Sequence, residues 1–178
     1  MSLPSEVSQL ARDRQLQFLV IGGLAVIHHG YSRETADLDL LVRKSNRSEW
    51  LSGLATLGYS LVTDGETFLQ LESASQTAWP IDLMLVSDET FAKMHGQALQ
   101  ADFLGTKGLV PCAEHLIALK LHALKHGRIH RFLKDFQDVE GIVRKNRLDL
   151  NSEKCREIFL KYGTMDLYEK FVRACSNK

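Results

Sequence analysis

The chain has 178 residues, 44% of them hydrophobic and 25% charged, with a formal net charge of zero. That balance allows a real core in one ordinary domain, or a core with a small appendage, and excludes a disordered or fibrous chain. Zero net charge does not announce a nucleic-acid or membrane binder, although a local basic patch can serve either role in a neutral protein.

Ser5 is positioned to cap a first helix over residues 5–15, with Val7, Leu10 and Ala11 on one face. Residues 18–21 read as a short buried strand, broken by Gly22-Gly23. Residues 24–29 then read as a helix ended by Gly30. The apolar run 18–27 is too short to cross a bilayer and lacks a cleavage site, so it is read as core. A second strand spans 36–42, and Ser45 or Asn46 caps a helix ending near Gly58. Residues 59–62 and 67–71 flank the turn signal Asp64-Gly65, and Pro80 opens the apolar strand IDLMLV. Ser87 or Asp88 caps a short helix to about His95, followed by short strands around Gly105 and Gly108.

After Pro111 the three-to-four spacing of helices takes over, at 114–125, 132–145, 152–162 and 165–174. The expected architecture is therefore α/β (α+β), a mixed β-sheet flanked by helices, over 1–110, with a C-terminal helical region over 111–178 packed on that core. Cys112, Cys155 and Cys175 are an odd number without CxxC spacing, which speaks for reduced thiols and a cytoplasmic setting rather than a disulfide scaffold or a zinc knuckle.

The chemistry concentrates between residues 21 and 82. In a strand, residues two apart share a face, so Asp37 and Asp39 point one way while Leu38 and Leu40 enter the core. Asp82, between Ile81 and Leu83, repeats the device on a later strand. Three carboxylates around one point would repel one another, and a divalent cation removes that cost. Hard oxygen donors on a rigid sheet suit Mg²⁺, or Mn²⁺, with phosphate oxygens completing its shell. Gly22 and Gly23 open a helix, where bare backbone N–H groups can approach a phosphate. Arg33 offers a two-pronged phosphate contact, and Thr35 or Ser32 a hydroxyl donor. The ordinary alternative for an isolated DxD is a solvated strand edge; the order strand, GG, helix, RxT, DLDL and a later IDL is far more specific.

These residues, IGG at 21–23, DLDL at 37–40 and IDL at 81–83, resemble the signature of the DNA polymerase β-type nucleotidyltransferase superfamily. The resemblance implies a nucleotidyltransferase-type sheet, metal-binding catalytic carboxylates at Asp37, Asp39 and Asp82, and Gly22 and Gly23 near the triphosphate. Many members have Ser where this chain has Gly23, so that hydroxyl contact is missing here.

The helical half adds a second block. Lys120 sits inside the apolar face formed by Leu116, Leu119, Leu121 and Leu124. It is either a snorkelling lysine or a point charge for a leaving pyrophosphate. Asp135 and Asp138 lie three apart on one helix face, where they either pair with Arg131, Lys134 or Arg128, or orient Lys120 or a base. KLHA at 120–123 and KDFQD at 134–138 are similar to the AbiEii/AbiGii-type abortive-infection nucleotidyltransferase family. That resemblance implies transfer of NMP from an NTP to an acceptor hydroxyl with pyrophosphate release, the acceptor being an RNA such as a tRNA end. It also implies a toxin of a toxin–antitoxin or phage-defence system with an antitoxin partner, and adds Lys120 and Asp135 to the catalytic set. The alternatives are nucleotidylation of a small molecule or protein, and a non-catalytic nucleotide-binding partner of the same fold. His122, His126 and His130 recur every four residues without a carboxylate at ligand spacing, and are read as surface positions or RNA phosphate contacts. The basic residues from Lys120 to Arg147 form either an acceptor surface or an ordinary solvated face.

Overall fold

A computed structural model of the chain describes residues 2–127 and 131–176. His130 and Arg128, named above as a member of the histidine series and a possible salt-bridge partner, lie outside the described residues. The chain divides into two units, one of residues 1–25 and 33–111, the other of 26–32 and 112–178. The short return of residues 26–32 to the helical unit is a feature that composition does not announce.

The first unit is built on a five-stranded mixed sheet in the order β1-β2-β5-β4-β3. Its strands are β1 (Phe18–Val20), β2 (Leu38–Arg43), β3 (Tyr59–Asp64), β4 (Phe68–Ser73) and β5 (Ile81–Val86). β2 and β5 run parallel in the interior, and the other pairings are antiparallel. Interior parallel strands bury much of both faces, which is why LDLLVR and IDLMLV are mostly apolar apart from their aspartates and the terminal Arg43. Helix α1 (Leu3–Asp13) and helix α3 (Arg47–Thr56) supply apolar cover, with Trp50 fully buried and set edge-on to Phe18 at 5.8 Å between ring centroids. Helix α4 (Asp88–His95) is capped by Ser87, whose Oγ accepts from the Thr90 N–H at 3.2 Å. Strands β6 (Leu99–Phe103) and β7 (Thr106–Val110) form a separate hairpin.

Three boundaries differ from the sequence reading. Helix α1 begins at Leu3 rather than after Ser5, because Pro4 fits the first helical turn, where a missing N–H costs nothing. Helix α2 (Gly22–His28) begins at the first glycine rather than at Leu24. The second strand starts at Leu38, so Asp37 lies just before it.

The second unit packs α5 (Ala113–His126), α6 (Phe132–Lys145), α7 (Glu153–Tyr162) and α8 (Met165–Ser176). Phe171 is its hub, stacked on Phe136 at 4.1 Å and edge-on to Phe159 at 5.4 Å. Residues 26–32 are held on α6. A Cβ at Gly141 would lie 2.2 Å from Tyr31 Cγ, so only glycine admits the ring there. The Asn146 side chain donates to the His29 carbonyl at 3.0 Å. Among the described residues, no helix is long and apolar enough to cross a membrane.

Candidate active site

Strand register brings the carboxylates together. Asp39 on β2 and Asp82 on β5 are direct partners in the parallel ladder, so they lie side by side on one face. On the other face of the same strands Leu38, Leu40, Ile81 and Leu83 are at most 1% exposed. Asp82 is buried, whereas Asp37 and Asp39 are half-buried.

The glycine pair is fitted to this edge. Ile21 donates its N–H to the Asp39 carbonyl at 2.9 Å, which places the next residue, Gly22, against the Asp39 side chain. Gly22 has φ +59°, and a Cβ there would stand 1.7 Å from Asp39 Oδ2 and 2.7 Å from Asp39 Cβ. At Gly23 a Cβ would stand 2.3 Å from Thr35 Oγ1, 2.6 Å from Thr35 Cβ and 3.0 Å from Arg33 Nη1. Each glycine thus makes room for one polar side chain of the loop that leads into β2. The Thr35 hydroxyl donates to Asp37 Oδ1 at 2.5 Å. Its single proton is therefore committed to a carboxylate, where the sequence suggested a phosphate contact. Arg33 donates through Nη1 to the Glu34 carbonyl at 2.8 Å.

Gly22, Gly23, Arg33, Thr35, Asp37, Asp39 and Asp82 are all in the first unit. Lys120, Asp135 and Asp138 meet in the second. The Lys120 ammonium lies 2.8 Å from Asp135 Oδ1 and 2.8 Å from Asp138 Oδ2, with side-chain exposures of 8%, 6% and 0%. Lys120 is thus the partner of both carboxylates, which is the second of the two readings that the sequence offered for them. Two carboxylates share one buried ammonium, an arrangement costly to desolvate and worse to break.

His122 and His126 meet edge-on at 4.6 Å. Burial, then His126 and Lys125 beside it, push His122 below the ordinary histidine value. Burial, then His29, do the same to His28.

Register also reveals residues that the sequence reading missed. Gln70 on β4 is the ladder partner of Asp82, and Thr63 on β3 is the partner of Gln70. Asp39, Asp82, Gln70 and Thr63 therefore form one polar row across four strands. The Thr63 hydroxyl donates to Gln70 Oε1 at 3.4 Å. An alternation count on β4 would have placed Gln70 opposite Leu69 and Leu71, but its neighbour across the sheet follows only from strand order.

Among the described residues, no three His, Cys, Asp or Glu side chains converge as a ready-made metal cage. The residues nevertheless fit Mg²⁺: paired hard carboxylates on a rigid sheet, beside backbone stripped of side chain at Gly22, match an ion that takes one or two carboxylates and fills its shell with water and phosphate oxygens.

No family model matches the sequence, and neither does any curated protein. The fold does have solved counterparts. The antibiotic-resistance factor ANT(2'')-Ia, solved with adenylyl-2''-tobramycin, is 16% identical with a TM-score of 0.65, covering 96% of this chain and 95% of its own. The lincosamide antibiotic adenylyltransferase LnuA, lincomycin-bound, is 14% identical with a TM-score of 0.56, covering 79% of this chain and 96% of its own. An antigenic nucleotidyltransferase-like protein from Paracoccidioides brasiliensis is 13% identical with a TM-score of 0.58, covering 99% and 91%. At these identities what is shared is the architecture, and the chain has the mixed-sheet fold of the nucleotidyltransferases.

Proposed function

We propose that the protein is a metal-dependent nucleotidyltransferase that moves NMP from an NTP to an acceptor hydroxyl and releases pyrophosphate. The observation that carries this reading is the pairing of Asp39 with Asp82 on adjacent strands, with Gly22 laid bare against Asp39.

In the reaction the acceptor oxygen bonds to the α-phosphorus, the bond from that phosphorus to the bridging oxygen of pyrophosphate breaks, and the acceptor proton goes to a base. Asp82 is the group we assign to orient the acceptor hydroxyl and take its proton, because it is the most buried of the three sheet-edge carboxylates and the one adjoining the open β4–β3 side. Asp37 and Asp39 would hold Mg²⁺ or Mn²⁺ with Asp82, and such an ion, when bound, offsets charge on the phosphates and on departing pyrophosphate. Gly22 and Gly23 let the triphosphate approach the backbone closely, and Arg33 is the cation placed beside Gly23. Thr35 holds Asp37 in place through its hydroxyl. Lys120 has two carboxylates around its ammonium, and the transfer as drawn requires neither Lys120 nor Asp135.

The RNA acceptor, the toxin role and the antitoxin partner rest on the family resemblance alone, and a cytoplasmic setting on the cysteine pattern. ANT(2'')-Ia and LnuA, by contrast, are named for antibiotics, which brings small molecules in as acceptors. The test is incubation with each α-labelled NTP, Mg²⁺ or Mn²⁺, and either total RNA, tobramycin or lincomycin. Label is expected on one acceptor class. No transfer to any acceptor, or transfer that survives Asp37→Ala combined with Asp39→Ala, would sink the reading.

A further inference from the structure

The stretch of chain that builds the side of the sheet next to Asp82 is one-sided in charge. From Ser48 to Thr90 and on to Ala92 the sequence contains no Lys, Arg or His, yet it contains seven Asp and Glu residues. That stretch includes β3, β4 and β5, the half of the sheet lying beyond β2. Two of the carboxylates are answered from outside the stretch, Asp64 by Arg47 and Glu66 by Lys44. Glu72, on β4, is exposed and has no ion-pair partner among the described residues.

Register places Glu72 beside the reacting edge. Gln70 pairs with Asp82, and Glu72 follows Gln70 by two residues on the same strand, hence on the same face. Across the next ladder Ser60 pairs with Glu72 and Thr63 pairs with Gln70. Ser60 and Thr63 are three apart, and in a regular strand they would point to opposite faces. The register shift between Leu61 and Thr63 is a bulge that absorbs one residue and turns both hydroxyls to the carboxylate face. The opposite face stays apolar, with Leu69 and Leu71 at 0% and 1% exposure. Ser60, Thr63 and Glu72 are exposed, and Gln70 is half-buried. The outcome is a polar apron of two hydroxyls, an amide and a carboxylate, starting at Asp82 and reaching the sheet edge.

We infer that this apron is the acceptor subsite and that its acceptor is a small polyhydroxylated molecule carrying positive charge. The inference rests on the nucleotidyltransferase reading and deepens it. Hydroxyls and an amide offer both donors and acceptors to a hydroxylated ligand, and Glu72 offers its charge to an ammonium. A nucleic-acid strand is held chiefly through Lys and Arg on its phosphates, and the apron has neither. The phosphates of a strand laid along the apron would meet Glu72 as a like charge.

The experiment has two arms on the full chain. Calorimetry with Mn²⁺ and each NTP measures nucleotide binding. Transfer of α-label is then measured to glucosamine, tobramycin and lincomycin, and to total RNA, in wild type, Gln70→Ala and Glu72→Lys. Metal-dependent NTP binding that is equal in all three proteins is expected. Label is expected on an amino-polyol, with Glu72→Lys raising its KM at least tenfold and leaving kcat within threefold. The wild type is expected to leave RNA unlabelled. Three results overturn the inference while sparing the nucleotidyltransferase reading: label on RNA, NTP binding without label on any of the three amines, and amine labelling indifferent to both substitutions. Absence of metal-dependent NTP binding in the wild type overturns the reading itself, and the subsite with it.

Discussion

The glycine pair permits a test in which strain and steric conflict are separated by position. At Gly58, φ is +82° and an added Cβ meets nothing within 4 Å, so Gly58→Ala incurs only the left-handed backbone cost, about 1–2 kcal/mol. At Gly23 the backbone needs no left-handed conformation, but an added Cβ would stand 2.3 Å from Thr35 Oγ1 and 2.6 Å from Thr35 Cβ. Rotating the threonine relieves only the first contact, so Gly23→Ala forces a backbone shift worth about 1–3 kcal/mol, less roughly 0.5–1 kcal/mol of helix propensity gained. Gly22 combines both problems, since φ is +59° and the added Cβ would stand 1.7 Å from Asp39 Oδ2 and 2.7 Å from Asp39 Cβ. Gly22→Ala should therefore cost about 2–5 kcal/mol.

Thermal denaturation checks the ranking, with each kcal/mol moving Tm by about 2–4 °C in a chain of this size. Mn²⁺ binding followed by electron paramagnetic resonance provides a second readout that stability alone does not move. Gly58→Ala should bind Mn²⁺ as wild type does, and Gly22→Ala should lose it, because Asp39 is the atom group displaced. If Gly22→Ala falls within 0.5 kcal/mol of Gly58→Ala and keeps its Mn²⁺, Asp39 does not lie against Gly22 and the reasoning fails.

Two further outcomes follow from side-chain pairs. Thr35→Val keeps the shape of the side chain but removes the donor to Asp37, and should weaken Mn²⁺ binding about tenfold, equivalent to ~1.4 kcal/mol, while Thr35→Ser stays close to wild type; equal affinity in Thr35→Val would show that the hydroxyl does not position Asp37. Lys120→Met leaves Asp135 and Asp138 buried without their cation and should destabilise the second unit by about 3–5 kcal/mol in chemical denaturation, with much of the loss restored when both aspartates are also changed to Asn. A loss below 1 kcal/mol in Lys120→Met would mean that the triad is not buried as described.

What could be read from the sequence was whatever depends on local pattern. Ser87 caps α4 as its hydroxyl and position suggested, and α6 spans the range that its apolar spacing marks. IDLMLV and LDLLVR are strands because their apolar residues recur as a doubly covered strand requires. What escaped depends on contacts between distant residues. Nothing near Gly23 announces Thr35, twelve positions on, as the reason for a missing side chain. Lys120, one of the partners offered for Asp135 and Asp138, lies 15 and 18 residues from them, and spacing within one helix could not choose it over Arg131 and Lys134. Gln70 and Thr63 belong beside Asp82 only because β4 pairs with β5 and β3 with β4, an order that no single strand's pattern contains.

The site also depends on the core for its geometry. Asp39 and Asp82 are partners because Leu38 pairs with Ile81 and Leu40 with Leu83. Those three leucines and one isoleucine are buried on the face opposite the carboxylates. A slip of β5 by one residue against β2 would send Ile81 and Leu83 to the polar face and drive Asp82 into the leucine layer. Burying an unpaired carboxylate there costs far more than the sheet gains from any alternative register. The apolar residues that flank each aspartate therefore do more than bury a strand. They fix the register, and the register is what sets two carboxylates side by side and puts Gln70 next to them, toward the open edge of the sheet.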